Sequence, residues 1–298
     1  MNYPDWAMVE NFSKNTDQNI GNVWRNLTKR FEKSKIASAN LDARILVAHA
    51  LNIDQLQLAL DEQRLVAQDD LEKIEGLALR RLKNEPVARI LGTKEFYGLE
   101  FLLNEATLVP RPETELLVDL GIDFLAEKTA AKILELGVGS GCVIISLLKN
   151  NKDAKAFGVD ISAKALEVAI SNGKAHEVDE RINWVCGSWF EPLDKDKKFD
   201  LIVSNPPYID TKTISTLALE VREYDPMDAL DGGERGLVAY ERIIRGAKAR
   251  LMHRGVLLLE IGFDQSEEVA KLCQSAGFTD VKLHLDLAGQ PRVIEARR

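Results

Sequence analysis

The chain has 298 residues, enough for one large domain or a medium domain with a smaller companion. Hydrophobic residues make up 45% and charged residues 29%, and apolar stretches such as 256–261 fall far short of the ~20 residues that cross a bilayer, so a membrane-spanning protein is not expected. The net charge is −8 and the pI is near 5.3. Gripping many phosphates usually requires a basic surface, so this acidity argues against a stable nucleic-acid partner and gives weight to a protein substrate.

The N-terminus carries Asp5, Glu10 and Asp17 with no basic segment leading into an apolar one, which is not the pattern of a secretory signal. Cys142, Cys186 and Cys273 lie far apart, are odd in number and lack zinc-ligand spacing; His49, His176, His253 and His284 are equally scattered. Reduced thiols in a cytoplasmic protein without a metal site are expected.

In chain order, residues 17–84 read as helical. Ile20, Val23, Trp24, Leu27 and Phe31 recur at steps of three and four, the spacing of one apolar helix face. Asn40 is a candidate cap for a second helix, with Leu41, Ile45 and Ala48 turned inward. Asp69 and Asp70 open a third, along which Leu71, Ile74, Ala78 and Leu82 align, and Glu85-Pro86 ends it. The expectation is a helical domain over residues 1–85, its first fifteen residues or so disordered because they match no pattern. Residues 86–110 are predicted to form a β-hairpin linker with strands at 94–97 and 100–103 around a turn at Gly98-Leu99. The prolines of Leu108-Val109-Pro110-Arg111-Pro112-Glu113-Thr114-Glu115 then stiffen the approach to a helix starting near Thr114.

A third domain is expected over 111–298. Strands are predicted at 132–136, 156–160, 182–186, 199–204, 255–261, 280–285 and 292–297, with helices near 114–127, 140–150, 162–176, 235–252 and 265–276. Short apolar strands alternating with amphipathic helices imply an α/β fold: a Rossmann-like, mostly parallel sheet of seven strands covered on both faces. Only a short turn separates the last two strands, so they should form an antiparallel hairpin.

Within that domain, Glu135-Leu136-Gly137-Val138-Gly139-Ser140-Gly141 is a strand running through a glycine-rich turn into a helix. Glycines there let the backbone reach positive φ and pass close to a ligand at the carboxyl edge of the sheet. The spacing is Gly-x-Gly-x-Gly rather than the Gly-x-Gly-x-x-Gly of a dinucleotide cradle, a better match to the methionine part of S-adenosylmethionine. Glu135 adds an anion that could hold the ligand's ammonium group. Asp160, twenty-three residues after Gly137, ends the second strand, where a carboxylate can accept hydrogen bonds from both ribose hydroxyls. Gly187-Ser188-Trp189-Phe190 follows the third strand and is placed to border an adenine.

The fourth strand, Phe199-Asp200-Leu201-Ile202-Val203-Ser204, runs straight into Asn205-Pro206-Pro207-Tyr208. Two prolines remove two backbone donors and stiffen the turn. An amide nitrogen or a base amine is planar and a poor nucleophile. The Asn205 side-chain oxygen and the Pro206 carbonyl can accept both of its N–H bonds while the Tyr208 ring packs on the planar group. Fixed dipoles then stabilise charge developing on nitrogen, and alignment supplies the rest. The proton leaves after the nitrogen becomes cationic, so no strong base is required.

With those motifs in place, the sequence closely resembles the release factor glutamine methyltransferases of bacteria and organelles, the HemK/PrmC family. The resemblance rests on Val87-Ala88-Arg89-Ile90-Leu91-Gly92, on residues 108–115, 134–141 and 204–209, and on Leu259-Glu260-Ile261-Gly262. Asn-Pro-Pro-Tyr is shared with adenine-amine DNA methyltransferases, whereas residues 110–115 joined to a helical N-terminal domain are more specific to this family. The resemblance implies methyl transfer from S-adenosylmethionine, with S-adenosylhomocysteine as product, to the glutamine amide of the Gly-Gly-Gln tripeptide of peptide chain release factors. It further implies cofactor contacts from Glu135, Gly137, Val138, Gly139, Ser140, Gly141, Asp160, Trp189 and Asn205. Asn205, Pro206, Pro207 and Tyr208 would hold the glutamine, Asn205, Pro206 and Tyr208 catalytically, and the helical domain would recognise the substrate of a monomeric enzyme. Two departures stand out: Glu135 replaces the more usual Asp, and Ser188 stands where many relatives carry Asp.

Other readings remain open on the sequence. The same residues would serve methylation of a glutamine on a ribosomal protein. A nucleic-acid amine methyltransferase would flip its base into the same pocket, against the acidic pI and without a target-recognition domain. A noncatalytic nucleoside-binding scaffold would be marked by loss of Asn205 or the glycines, and neither is lost. A dehydrogenase fits the glycine spacing least.

Overall fold

The computed structural model describes residues 18–298 and divides at Leu91 and Gly92 into two compact units. The disorder expected of the first fifteen residues lies outside the described residues. Among those described, no helix is long and apolar enough to cross a membrane.

The first unit is built from α1 (Ile20–Lys33), α2 (Ala39–Leu51), α3 (Gln55–Leu60), α4 (Gln68–Leu82) and α5 (Val87–Leu91). The Asn19 side chain caps α1 by accepting from the Asn22 N–H at 2.8 Å. Ile20, Val23, Leu27 and Phe31 are buried as their spacing predicts, while Trp24 is only partly buried and carries the Arg25 guanidinium over its ring.

The second helix differs from expectation. It starts at Ala39 after Ser38, not after Asn40, and Leu41 is 59% exposed. Its inward face carries Asp42 instead, which accepts from Arg81 Nε at 2.7 Å and from the Ser38 hydroxyl at 2.9 Å. A buried ion pair has taken the position that an apolar residue would occupy. The short α3 was not anticipated, whereas α4 runs close to expectation, beginning at Gln68 and placing Asp69 and Asp70 in its first turn, where acidic side chains suit the helix dipole. Residues 87–91, read as the start of the linker, are helical: Pro86 precedes them and its carbonyl accepts from Arg89 and Ile90.

The second unit opens with the hairpin β1 (Thr93–Phe96) and β2 (Leu99–Leu102). Its two-residue turn is Tyr97-Gly98, one position earlier than predicted, with φ of 53° and 72°, the mirror-image turn that matches strand twist. A tyrosine tolerates that conformation because its N–H donates to Glu115 at 2.9 Å and its hydroxyl to Asp119 at 2.8 Å.

A 3₁₀ turn (Pro112–Thr114) leads into α6 (Glu115–Leu125). There follow β3 (Lys132–Leu136), α7 (Cys142–Asn150), β4 (Lys155–Asp160), α8 (Ala163–Ala175), β5 (Ile182–Cys186) and β6 (Phe199–Ser204). Beyond a stretch of short helical turns that includes α9 (Leu219–Arg222) and α10 (Met227–Leu230) come α11 (Val238–Arg250), β7 (Leu251–Glu260), α12 (Ser266–Ser275), β8 (Asp280–Leu285) and β9 (Pro291–Arg297). The sheet order is β5-β4-β3-β6-β7-β9-β8, with β3 to β7 parallel to their neighbours and β9 antiparallel to both β7 and β8. This is the expected seven-stranded sheet with a terminal hairpin. Alternate residues of its strands feed two cores: Ile133, Leu201 and Val256 pack on one face, and Leu134, Ile202 and Leu257 on the other.

Two boundaries moved by more than two residues. Helix α11 begins only at Val238, because Gly233, Arg235 and Gly236 all take positive φ, and β7 starts at Leu251, which already pairs with Phe199 before a register shift.

Removing one partner of a buried ion pair strands the other charge, so Asp42→Ala is expected to cost the helical unit about 3 kcal/mol. Urea unfolding checks this; a loss under about 0.5 kcal/mol would show the pair to be incidental.

Candidate functional site

The sheet reverses its strand order between β3 and β6, and the loops leaving these two strands meet. At the end of β6 the Ser204 hydroxyl donates to the Leu136 carbonyl at 2.6 Å, tying the two strand ends together. A Cβ added to Gly137 would lie 3.9 Å from the Asn205 carbonyl oxygen.

The glycine turn has the conformation its sequence requires, with φ of 74°, 56° and 82° at Gly137, Gly139 and Gly141. Their surroundings differ. Nothing lies within 4 Å of a Cβ at Gly139, which faces open space, whereas one at Gly141 would meet Ile145 at 3.0 Å and Ala169 at 3.3 Å. Asp160 braces the turn: one carboxylate oxygen accepts from the Gly139 N–H and the other from the Ser162 N–H, both at 2.8 Å. Burial pushes its carboxyl above the ordinary range, against the pull of these N–H groups. Glu135 sits deeper, 2% exposed, and accepts from the Ile144 N–H in the first turn of α7 at 3.0 Å. Burial drives it well above the usual carboxylate range, and the nearby charge of Asp160 adds to the shift.

A cavity of about 510 Å³ opens over this turn. Glu135, Gly137, Val138, Gly139, Ser140, Asp160, Trp189, Asn205 and Pro207 all line it, so most of the residues singled out by sequence converge on one space. Gly141, Pro206 and Tyr208 do not line it. Gly141 closes the base of α7, and Pro206 is buried. Tyr208 borders a second cavity of about 460 Å³ together with Arg235, Phe263 and Arg292.

The Asn205 amide is held by Thr114, whose hydroxyl oxygen accepts from Nδ2 at 3.2 Å. Behind the turn, the Tyr208 carbonyl accepts from Gln265 at 2.9 Å, and the Tyr208 hydroxyl lies 3.5 Å from Glu260 Oε1. Glu260 is 1% exposed, and its Oε2 has no hydrogen-bond partner. Burial pushes its carboxyl up to about 7, while the Thr114 hydroxyl and Arg292 draw it down.

Sequence reasoning missed the far wall. Pro226, Met227, Asp228, Ala229 and Asp231 line the cavity from the stretch after Asn-Pro-Pro-Tyr, and Pro110, Arg111 and Thr114 line it from the other side. Asp225 joins the two, accepting from Arg111 Nη2 at 2.6 Å with its own side chain 1% exposed. The available signal was Gly232-Gly233 and Gly236. A Cβ at Gly232 would come within 2.8 Å of Tyr208 Cα, and one at Gly236 within 2.0 Å of the Tyr208 oxygen, so only glycine lets this segment pass so close.

A doubly wound sheet ending in an antiparallel hairpin, with one cavity joining the glycine turn, the acidic end of β4 and the turn after β6, defines a class I methyltransferase. Residues 22–92 match the family model described as PrmC N-terminal domain, and residues 114–222 match the methyltransferase small domain. The release factor glutamine methyltransferase of Agrobacterium fabrum is 41% identical over 91% of this chain and 94% of its own length. That of Bradyrhizobium diazoefficiens is 41% identical over 95% and 96%. The chain belongs to the release factor glutamine methyltransferase family. The catalytic domain of hMettl16, solved with a MAT2A 3′UTR hairpin, superposes with a TM-score of 0.55 at 13% identity over 77% of this chain and 81% of that one, a likeness of fold alone.

Because Glu260 holds its proton more tightly when folded (about 7) than in the unfolded chain (4.5), its contribution to stability is greatest below 4.5 and falls as pH rises to about 7. Thermal unfolding of the unliganded protein from pH 5 to 8 should show this decline, and Glu260→Gln should flatten it. An unchanged slope in the variant would assign the effect to other groups.

Proposed function

We propose that this chain transfers a methyl group from S-adenosylmethionine to the side-chain amide nitrogen of the glutamine in the Gly-Gly-Gln tripeptide of peptide chain release factors. One observation carries the reading: the glycine turn with Asp160 and the Asn205-Pro206-Pro207 turn face a single cavity. The open space above Gly139, the carboxylates of Glu135 and Asp160, and the half-buried Trp189 fit a nucleoside joined to a cationic amino-acid tail. S-adenosylmethionine supplies an electrophilic methyl carbon on its sulfonium.

In this reading Asp160 takes the ribose hydroxyls, Trp189 borders the adenine, and Glu135 with the backbone of Gly137, Val138, Gly139 and Ser140 holds the amino-acid end, with Gly141 packed behind them. Asn205 Oδ1 accepts one amide N–H with Pro207 beside it, the Pro206 carbonyl accepts the other, and Tyr208, which does not line the cavity, supports the turn from behind. The amide nitrogen is thereby aimed at the methyl carbon, and its growing positive charge meets two fixed dipoles. The proton departs after the N–C bond forms, so no strong base beside Asn205 is required. The names of the two 41%-identical relatives support release factors as the substrate, and the acidic chain favours a protein over a nucleic acid. Three free cysteines among the described residues suit a reducing, cytoplasmic setting.

Incubation with labelled cofactor and purified release factor, followed by mass spectrometry of the tripeptide fragment, tests the reading. Methyl on that glutamine is expected; methyl on a ribosomal protein or on DNA, and none on that peptide, would overturn it. Asn205→Ala should leave the cofactor Kd within about tenfold yet cut turnover by about 10²-fold or more. Near-normal turnover in that variant would remove Asn205 from the mechanism. Asp160→Ala should weaken cofactor binding first, as isothermal titration would report, and an unchanged Kd would refute its ribose role.

A further inference from the structure

The motif Leu259-Glu260-Ile261-Gly262 carries a buried carboxylate that the reaction outlined above does not use. Glu260 ends β7 beneath the Asn-Pro-Pro-Tyr turn, 1% exposed, with one oxygen lacking any hydrogen-bond partner. Thr114 stands between it and the cavity. It is 3% exposed, its oxygen accepts from Asn205 Nδ2 at 3.2 Å, and its hydroxyl is among the groups that draw the Glu260 carboxyl down.

We propose that Glu260 and Thr114 are positioning residues for Asn205, forming a buried chain from carboxylate to hydroxyl to amide that keeps Nδ2 turned inward and Oδ1 facing the substrate. The proposal rests on the reading that Asn205 Oδ1 accepts from the substrate amide.

An asparagine amide presents a donor on one side and an acceptor on the other, and the two ends have nearly the same shape, so packing alone does not choose between them. A threonine hydroxyl has one proton and can serve either end. An ionised carboxylate can only accept. With Glu260 ionised, the Thr114 proton goes to Glu260, and only lone pairs remain for Asn205. The amide must then offer Nδ2 to Thr114, which leaves Oδ1 for the substrate N–H. Were Glu260 neutral, its own proton could go to Thr114, and the Thr114 proton could turn to Asn205 Oδ1. The amide would then flip and present a donor to a donor. Such a contact loses a hydrogen bond and adds repulsion at the reacting nitrogen.

The groups around Glu260 leave it free to act as this switch. Tyr208 on the turn, Tyr240 on α11 and Cys142 on α7 are all pushed upward by burial and stay neutral through the physiological range. The charges that bear on it are Arg292 on β9, which favours ionisation, and Glu113 in the 3₁₀ turn, which opposes it. The Tyr208 hydroxyl, 3.5 Å from Oε1, is a second donor for the ionised form. Neither Glu260 nor its orphan oxygen borders either of the two cavities, so a direct contact with substrate is not part of the role.

The test compares Thr114→Val, which keeps the shape and deletes the hydroxyl, with Thr114→Ser, which keeps the hydroxyl. Single-turnover methylation of purified release factor and the cofactor Kd are measured for each. Thr114→Val should slow methyl transfer by about thirtyfold or more while the cofactor Kd stays within about threefold, and Thr114→Ser should recover most of the rate. The unaltered protein should gain turnover as pH rises through about 7, and Glu260→Gln should be slow and lack that limb. If Glu260→Gln does not fold, the Thr114 pair decides. Equal rates for Thr114→Val and the unaltered protein would overturn the inference alone, as would a serine variant no faster than the valine one. Failure of the unaltered protein to methylate the tripeptide glutamine would overturn the preceding reading, and this inference with it.

Discussion

The parallel pairing of β3 with β6 sets the rest of the site. Register places Ile133 beside Leu201, Leu134 beside Ile202 and Glu135 beside Val203, so both strands end at the same edge, and the Ser204 hydroxyl on the Leu136 carbonyl locks the two ends together. Strand order reverses between them, so the chain leaves the two strand ends toward opposite faces while the first residues of each loop stay close, with a crevice between them. The glycine turn enters that crevice from one side and the Asn-Pro-Pro-Tyr turn from the other. A slip of one residue in this pairing would separate Leu134 from Ile202, which share one buried cluster, and Ile133 from Leu201, which share the other. Packing of the sheet therefore enforces the distance between the glycine turn and the Asn-Pro-Pro-Tyr turn.

Around that crevice the protein buries carboxylates that a fold chosen for stability alone would avoid. Glu135, Asp160 and Glu260 are each raised by burial above the ordinary range. Each is met by a donor placed for it: Ile144 N–H, Gly139 and Ser162 N–H, and the Thr114 and Tyr208 hydroxyls. Glu135 and Asp160 line the cavity, where the cationic ligand proposed above would offset the cost of burying them, whereas Glu260 borders neither cavity. The far wall follows the same logic of close approach, with Asp225 pinning Arg111 and glycines 232 and 236 passing against the Tyr208 backbone.

What could be read from the chain alone was what lies close in sequence. The helix face of Ile20, Val23, Leu27 and Phe31, the strand-turn-helix at 132–150, and Asn-Pro-Pro-Tyr at a strand exit all depend on neighbours within a few residues. The errors have a common cause in distant partners. Asp42 faces inward because Arg81 does, and a residue 39 positions away leaves no periodic trace. Tyr97 takes a left-handed turn because Glu115 and Asp119 hold it. The cavity wall at 226–231 has no apolar period, and only its glycines hinted at a close approach. Thr114 and Glu260 lie in segments 110–115 and 259–262, but nothing local says that Thr114 bonds Asn205, 91 positions away.

The central claim is that one cavity holds the nucleoside and presents the glutamine amide to it. A crystal structure with S-adenosylhomocysteine and a Gly-Gly-Gln peptide would test this most directly. The account expects the thioether sulfur beside Gly139, the glutamine amide bonded to Asn205, and room for a methyl carbon within about 3.5 Å of the amide nitrogen. A nucleoside seated there with the glutamine bound elsewhere, or with its nitrogen turned away from the sulfur, would contradict it.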